Sequence, residues 1–185
     1  MKVRVQYNAP VVLTFALLSL GALVLGSVTG GWSTNALFCV YRSSLTDPLT
    51  YVRMVGHVLG HASYAHYMGN MMLLLVVGPP LEEKYGSSRL LFCILVTALV
   101  SGLVQFFLFP GTALLGASGI VFMMIVLSSL AGMRAGSIPL TLILVVVLYL
   151  GGELVDAATV QDNVSQLTHI VGGLCGAGLG FAMKR

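Results

Sequence analysis

Apolar residues along the chain gather into six long blocks, at 10–28, 62–79, 90–109, 114–133, 137–155 and 165–183. A long polar stretch (29–61), a charged loop (80–89) and three short connections divide them. Each block approaches the roughly 20 residues that a helix needs to cross a bilayer. The pattern therefore predicts an all-α polytopic membrane protein of six transmembrane helices, forming a single domain over 1–185.

Composition agrees. Of 185 residues, 57% are hydrophobic and 8% charged, and the mean hydropathy is +0.97. A soluble domain carries about 25% charged residues, so the bilayer must be the solvent for most of this surface. Lys2 and Arg4 precede the first block as in a signal peptide, but the run 10–28 is long for a signal core and no A-x-A site follows it, so it is expected to span. Three scattered cysteines form no disulfide framework. No basic run points to nucleic acid.

Charge then sets orientation. With six spans, Lys2, Arg4, Lys84, Arg89, Arg134, Lys184 and Arg185 share one side, and only Arg42 and Arg53 lie on the other. The excess of basic residues marks the cytoplasmic face, so both termini are expected there. Short loops favour a prokaryotic plasma membrane.

Three polar features interrupt the apolar blocks. His66 and Asn70, four apart at the start of the second block, share one helix face. Polar groups in a spanning helix are expensive and are functional candidates by default. Taken alone, this pair fits interhelical hydrogen bonding, or a metal site with His57 and His61, slightly better than it fits catalysis. Gly116-Ala117-Ser118-Gly119 opens the fourth block after the turn-forming Pro110-Gly111. Small flanking residues uncover a serine hydroxyl, and a helix N-terminus offers free N–H groups to developing charge. The same tetrapeptide alone favours helix packing. In the sixth block His169, Gly172, Gly176 and Gly180 are three, four and four apart, one stripe on one face. Glycines allow close helix contact. If the fourth span is the partner, His169 reaches Ser118, and a serine needs such a base to become a nucleophile.

In this combination and order the chain resembles the rhomboid family of intramembrane proteases, over roughly residues 50 to 183. The shared pattern is H-x-x-x-N in the second span, G-x-S-G opening the fourth and H-x-x-G-x-x-x-G in the sixth. The resemblance implies a rhomboid-like six-helix bundle and cleavage of transmembrane protein substrates near the outer face. Ser118 would be the nucleophile and His169 the base of a dyad. His66, Asn70 and the Ser118 N–H would hold the oxyanion beside Gly116, and Phe122 would stack on the histidine. Gly172 and Gly176 would support the seam. His57 and His61 match histidines with structural roles. No cofactor, metal or nucleic acid is implied; the partners are the bilayer and its proteins.

Two departures matter. Val52-Arg53 stands where the family often has Trp-Arg, so anchoring of the first loop is expected to differ. Gly69 sits where some relatives place an aromatic, which implies wider lateral access between the second and fifth spans. Glu82 is expected to satisfy backbone donors of the turn that follows it. Gly111 and the segment 156–164 are candidate lids. The rival readings are a catalytically silent relative that binds membrane clients, and a small transporter. The first would lack the serine or the histidine, and the second predicts paired intramembrane charges or repeats.

Overall fold

A computed structural model describes residues 5–131, 137–141, 143–145, 147 and 163–183. The first helix, α1 (Pro10–Val28), covers the first apolar block, with proline in its first turn where an N–H is not needed. The polar stretch that follows is folded. It holds α2 (Trp32–Leu37), β1 (Val40–Tyr41), α3 (Leu49–Gly56) and a 3-10 turn (His57–Leu59). Then come α4 (Tyr64–Tyr85), α5 (Ser87–Leu108), β2 (Ala113–Leu114), α6 (Ser118–Ala131) and α7 (Asn163–Ala182). The expected fifth span, 137–155, falls largely outside the described residues, of which 140, 141, 143–145 and 147 are helical.

The bundle has an apolar core with polar side chains buried among it, and large apolar side chains also cover its outside. Ser19, Thr97, Ser101 and Gln105 are buried, while Leu17, Leu18, Val76, Phe92, Leu95 and Leu174 are exposed. The helices α1 and α5 are long and apolar enough to cross a membrane. Central among them is α6, buried along most of its length. On one side Val145 joins Phe122, Val126 and Leu130 in a small apolar cluster.

Two expectations about the charged segment 80–89 are corrected. It is not a loop: α4 runs through Pro79 and Pro80 to Tyr85, and Gly86 alone (φ 83°) separates it from α5. The last turn of α4 holds because Leu81 and Glu82 are buried against α1. Nor does the Glu82 carboxylate serve only the turn after it. One oxygen accepts the Val11 N–H at 2.9 Å and the other the Val12 N–H at 3.0 Å, and the Ser87 hydroxyl donates at 2.7 Å. It caps α1, whose first-turn amides have no partner within their own helix.

At the opposite end, the segment 29–61 is built around Arg53. This side chain is buried, pairs with Asp47 at 2.7 Å, and donates to the Ala36 carbonyl at 3.3 Å and the Ser43 hydroxyl at 3.0 Å. Arginine presents a fork of donors suited to this use. Arg53 therefore holds the loop from within. Arg42 donates to the Phe106 carbonyl at the end of α5 (3.2 Å) and lies over the Phe106 ring. β1 pairs antiparallel with β2, Val40 opposite Leu114. That pairing corrects the start of the fourth span, expected at 114: helix begins only at Ser118.

Candidate active site

Each polar side chain is set by a local device. Ser63 caps α4, its hydroxyl accepting the His66 N–H at 3.1 Å, which fixes His66 in the first turn. Asn70 follows one turn on. The short sheet and a bond from the Gly116 N–H to the His57 carbonyl (3.0 Å) pin the segment before α6. Gly116 has φ 130°, a backbone conformation that favours glycine. A Cβ there would lie 2.9 Å from Cε1 and 3.0 Å from Nε2 of His66. Only glycine lets that imidazole lie against the backbone.

Ser118 is the first residue of α6. The Val121 N–H closes a helical bond to Ala117 at 2.9 Å, so the amides ahead of it, that of Ser118 included, have no acceptor inside the helix. They point outward at the positive end of the helix dipole.

The glycine stripe of α7 meets α6. A Cβ on Gly172 would collide with the Gly119 carbonyl, and one on Gly176 would lie 2.5 Å from the Met123 oxygen. Gly180 faces Leu130 in the same way, at 2.8 Å. Thr168 lies against Gly119, where a Cβ would be 3.1 Å from its methyl. His169, beside it, comes to the start of α6; its ring centroid is 6.4 Å from that of Phe122 and the planes are tilted by 57°, so the two rings adjoin without the stacking expected of them.

These elements enclose a cavity of about 430 Å³ lined by His66, Asn70, Ser118, Phe122 and His169, with Ala65, Gly69, Leu73, Val121 and Ile125 completing it. The four polar residues singled out in the sequence thus share one cavity, contributed by three helices. Asn70 is 7% exposed, and its Nδ2 has no hydrogen-bond partner among the described residues. A buried unmatched donor is costly unless something else takes its bond. Gly116 is not on the lining but backs His66; Gly172 and Gly176 lie in the seam behind it.

Around this centre His57 and His61 are both buried. His57 Nδ1 is 3.3 Å from the Arg53 carbonyl and His61 Nδ1 is 3.1 Å from that of Leu59. The His61 ring meets His66 edge-on, with centroids 5.0 Å apart. Burial pushes both His57 and His61 down to about 4, so they are neutral at pH 7. Among the described residues no three metal-ligating side chains converge. Of the candidate lids, 156–162 lies outside the described residues.

Of the apolar lining, Gly69 and Phe122 were singled out in the sequence; Ala65, Leu73, Val121 and Ile125 were not, although Ala65, Gly69 and Leu73 repeat every four residues beside His66 and Asn70. Gly173 was passed over as well: a Cβ there would be 2.7 Å from the Phe122 ring. It seats that ring.

Residues 48–185 match the family described as the Rhomboid domain. The chain belongs to the rhomboid family. This rhomboid is 30% identical over 159 residues to mouse Rhomboid-related protein 2, covering 75% of the chain and 53% of that relative. It is 29% identical over 177 residues to Rhomboid protease GlpG of Yersinia pestis (strain Pestoides F), covering 93% of the chain and 62% of the relative. A Yersinia pseudotuberculosis GlpG (serotype O:3, strain YPIII) matches to the same degree. The rhomboid chain spans between about half and three-fifths of the length of these relatives. The resemblance drawn from its motifs is borne out, and the chain is a membrane protein.

Proposed function

We propose that this rhomboid is an intramembrane serine endopeptidase that cuts transmembrane segments of membrane proteins near the outer face. One observation carries the reading: Ser118, His169, His66 and Asn70 line a single cavity from three different helices. A packing role for G-A-S-G requires none of the other three.

In the proposed reaction His169 takes the Ser118 proton as Oγ attacks the substrate carbonyl. The carbonyl oxygen becomes an oxyanion, held by the Asn70 amide, the His66 ring and the Ser118 N–H. The C–N bond then breaks, and His169 gives its proton to the leaving amine. Water, deprotonated in turn by His169, attacks the ester. The acid product leaves, and Ser118 regains its proton. Phe122 and the α6–α7 seam hold the histidine for this exchange. Gly116 serves the oxyanion site by letting His66 lie close.

The proposed topology has six spans in one domain, the second running on to Tyr85 and the fourth starting at Ser118, with the others as read from the sequence. Both termini are cytoplasmic and the membrane is a prokaryotic plasma membrane. In support, Arg42 and Arg53 lie at the site's end of the bundle, while Lys84 and Arg89 lie around the α4–α5 turn at the other. Substrate helices must unwind to present a carbonyl, so residues that weaken a helix near its outer end favour cleavage.

The test is labelling of purified protein by a fluorophosphonate probe, with cleavage of a single-pass substrate measured in parallel. Wild type is expected to label and cleave; Ser118→Ala and His169→Ala are expected to do neither. Wild-type protein that shows no Ser118-dependent labelling and no cleavage would overturn the reading in favour of a non-catalytic client-binding protein.

A further inference from the structure

A second cavity, of about 360 Å³, takes no part in the reaction proposed above. α1 lines it with Leu23 and Ser27, α2 with Thr34 and Asn35, and the turn before α4 with His61 and Ala62. No charged side chain among the described residues lines it. Its polar groups are hydroxyls, an amide and an imidazole.

His61 joins this cavity to the catalytic one. Its ring meets that of His66 edge-on, with centroids 5.0 Å apart, and that of Tyr67 at 5.5 Å. The His66 imidazole thus rests against both the Gly116 backbone and the His61 ring. The outer torsion of a histidine is broad, so hydrogen bonds rather than a rotamer well fix how the His61 ring is turned. Nδ1 lies 3.1 Å from the Leu59 carbonyl, and since a carbonyl only accepts, Nδ1 carries the proton. The ring is neutral at pH 7, so Nε2 is a bare acceptor. The residue is 3% exposed, and Nε2 has no hydrogen-bond partner among the described residues. A buried acceptor needs a donor. Water suits this place: the cavity is polar, has room for several molecules, and supplies Ser27, Thr34 and Asn35 as further partners.

We propose that this cavity is a water site, that its water donates to His61 Nε2, and that His61 held in this way positions His66 in the oxyanion site. The water site stands by itself; the use made of His66 rests on the proteolytic reading. With Nε2 bonded, both ends of the ring are tied and it stays seated against His66. With the water displaced, the ring turns about its free torsion and His66 loses one of its two supports. His61 touches neither substrate nor the reacting atoms. It is a positioning residue, served by solvent from the cavity at the first loop.

The test uses protein in lipid bilayers whose histidines carry a nitrogen isotope visible to solid-state NMR, with spectra edited for magnetisation received from water. His61→Gln identifies the His61 resonances by their loss. In wild type, transfer from water to His61 Nε2 is expected; no transfer overturns the proposal. Ala62→Leu sets a larger apolar side chain at the cavity, and is expected to abolish that transfer and to shift the His66 nitrogens. It is also expected to lower kcat on a single-pass substrate about tenfold at unchanged KM, the factor that one lost neutral hydrogen bond corresponds to. Asn35→Leu carries the comparison if thermal unfolding shows that Ala62→Leu does not fold. Water lost from His61 with the His66 resonances unmoved overturns the positioning role, as does a change confined to KM. Water transfer and a shifted His66 without Ser118-dependent labelling of wild type would leave the proposal standing and remove the protease reading. Labelling without the transfer would do the reverse.

Discussion

Gly172 offers the sharpest test of how the dyad is held. In Gly172→Ala the new Cβ would lie 3.0 Å from the Gly119 Cα and carbonyl carbon, and closer still to the carbonyl oxygen. Carbon pairs rest at about 3.5–4.0 Å, so α7 must withdraw from α6 by about 0.5–1 Å. Backbone opposes backbone here, and no side chain can yield instead. His169 lies on the same stripe three residues earlier and moves with the helix. A displacement near 1 Å lowers the rate about 10²-fold, close to 3 kcal/mol in the barrier, and overpacking costs about 1–3 kcal/mol of stability. The comparison is Gly178→Ala on the same helix, where a Cβ meets nothing within 4 Å. That change is expected to be neutral or stabilising, by up to about 1 kcal/mol. Initial rates on a single-pass substrate and fluorophosphonate labelling rates, each corrected for the folded fraction, give the answer. Equal behaviour of the two alanines would refute the claim that this seam positions His169.

Other expectations follow from the same geometry. Asn70→Ala is expected to lower kcat about 10²–10³-fold with little change in KM, since an oxyanion donor acts only as charge develops; a change confined to KM would contradict that role. Glu82→Ala leaves the Val11 and Val12 amides without their acceptors, at about 1–3 kcal/mol each, and should lower the thermal midpoint well below that of Glu83→Ala. His57 and His61 sit at about 4 when folded against 6.5 in the open chain, so the unfolded state binds more protons between those values. Stability is therefore full above pH 6.5 and falls toward pH 4, and His57→Gln should flatten that slope in a pH series of unfolding midpoints. The Arg53 guanidinium beside Asp47, with the Leu49 N–H, holds that carboxyl below its ordinary 3.8. Its contribution is present above that value and lost as pH falls through the depressed one; in Asp47→Asn this acid-side loss should be absent.

What the sequence made legible was whatever helical spacing carries locally. The first block and α1 share the bounds 10–28. The four-residue step from His66 to Asn70 and the glycine stripe after His169 are properties of one helix each, so they could be read without the fold. The pairing of that stripe with α6 had to be inferred, and Gly172 against Gly119 answers it. Pro80 and four charges suggested a loop at 80–89 because the force that keeps the helix going, Glu82 reaching α1, acts across some seventy residues of chain. The cavity's apolar wall was illegible for another reason. In a membrane protein the same side chains face lipid, neighbouring helices and substrate, and composition cannot separate Leu73 on the cavity from Val76 on the exterior.

The Glu82 cap also bears on how the chain is made. When α1 leaves the ribosome its first-turn amides at Val11 and Val12 have no acceptor, and none arrives until synthesis has passed residue 82. The start of α1 must stay in contact with water or lipid headgroups during that interval, because hydrocarbon offers nothing to bond with. Its final depth is fixed only when α4 docks beside it. Membrane insertion of these two helices is therefore one event in two instalments, completed by a carboxylate.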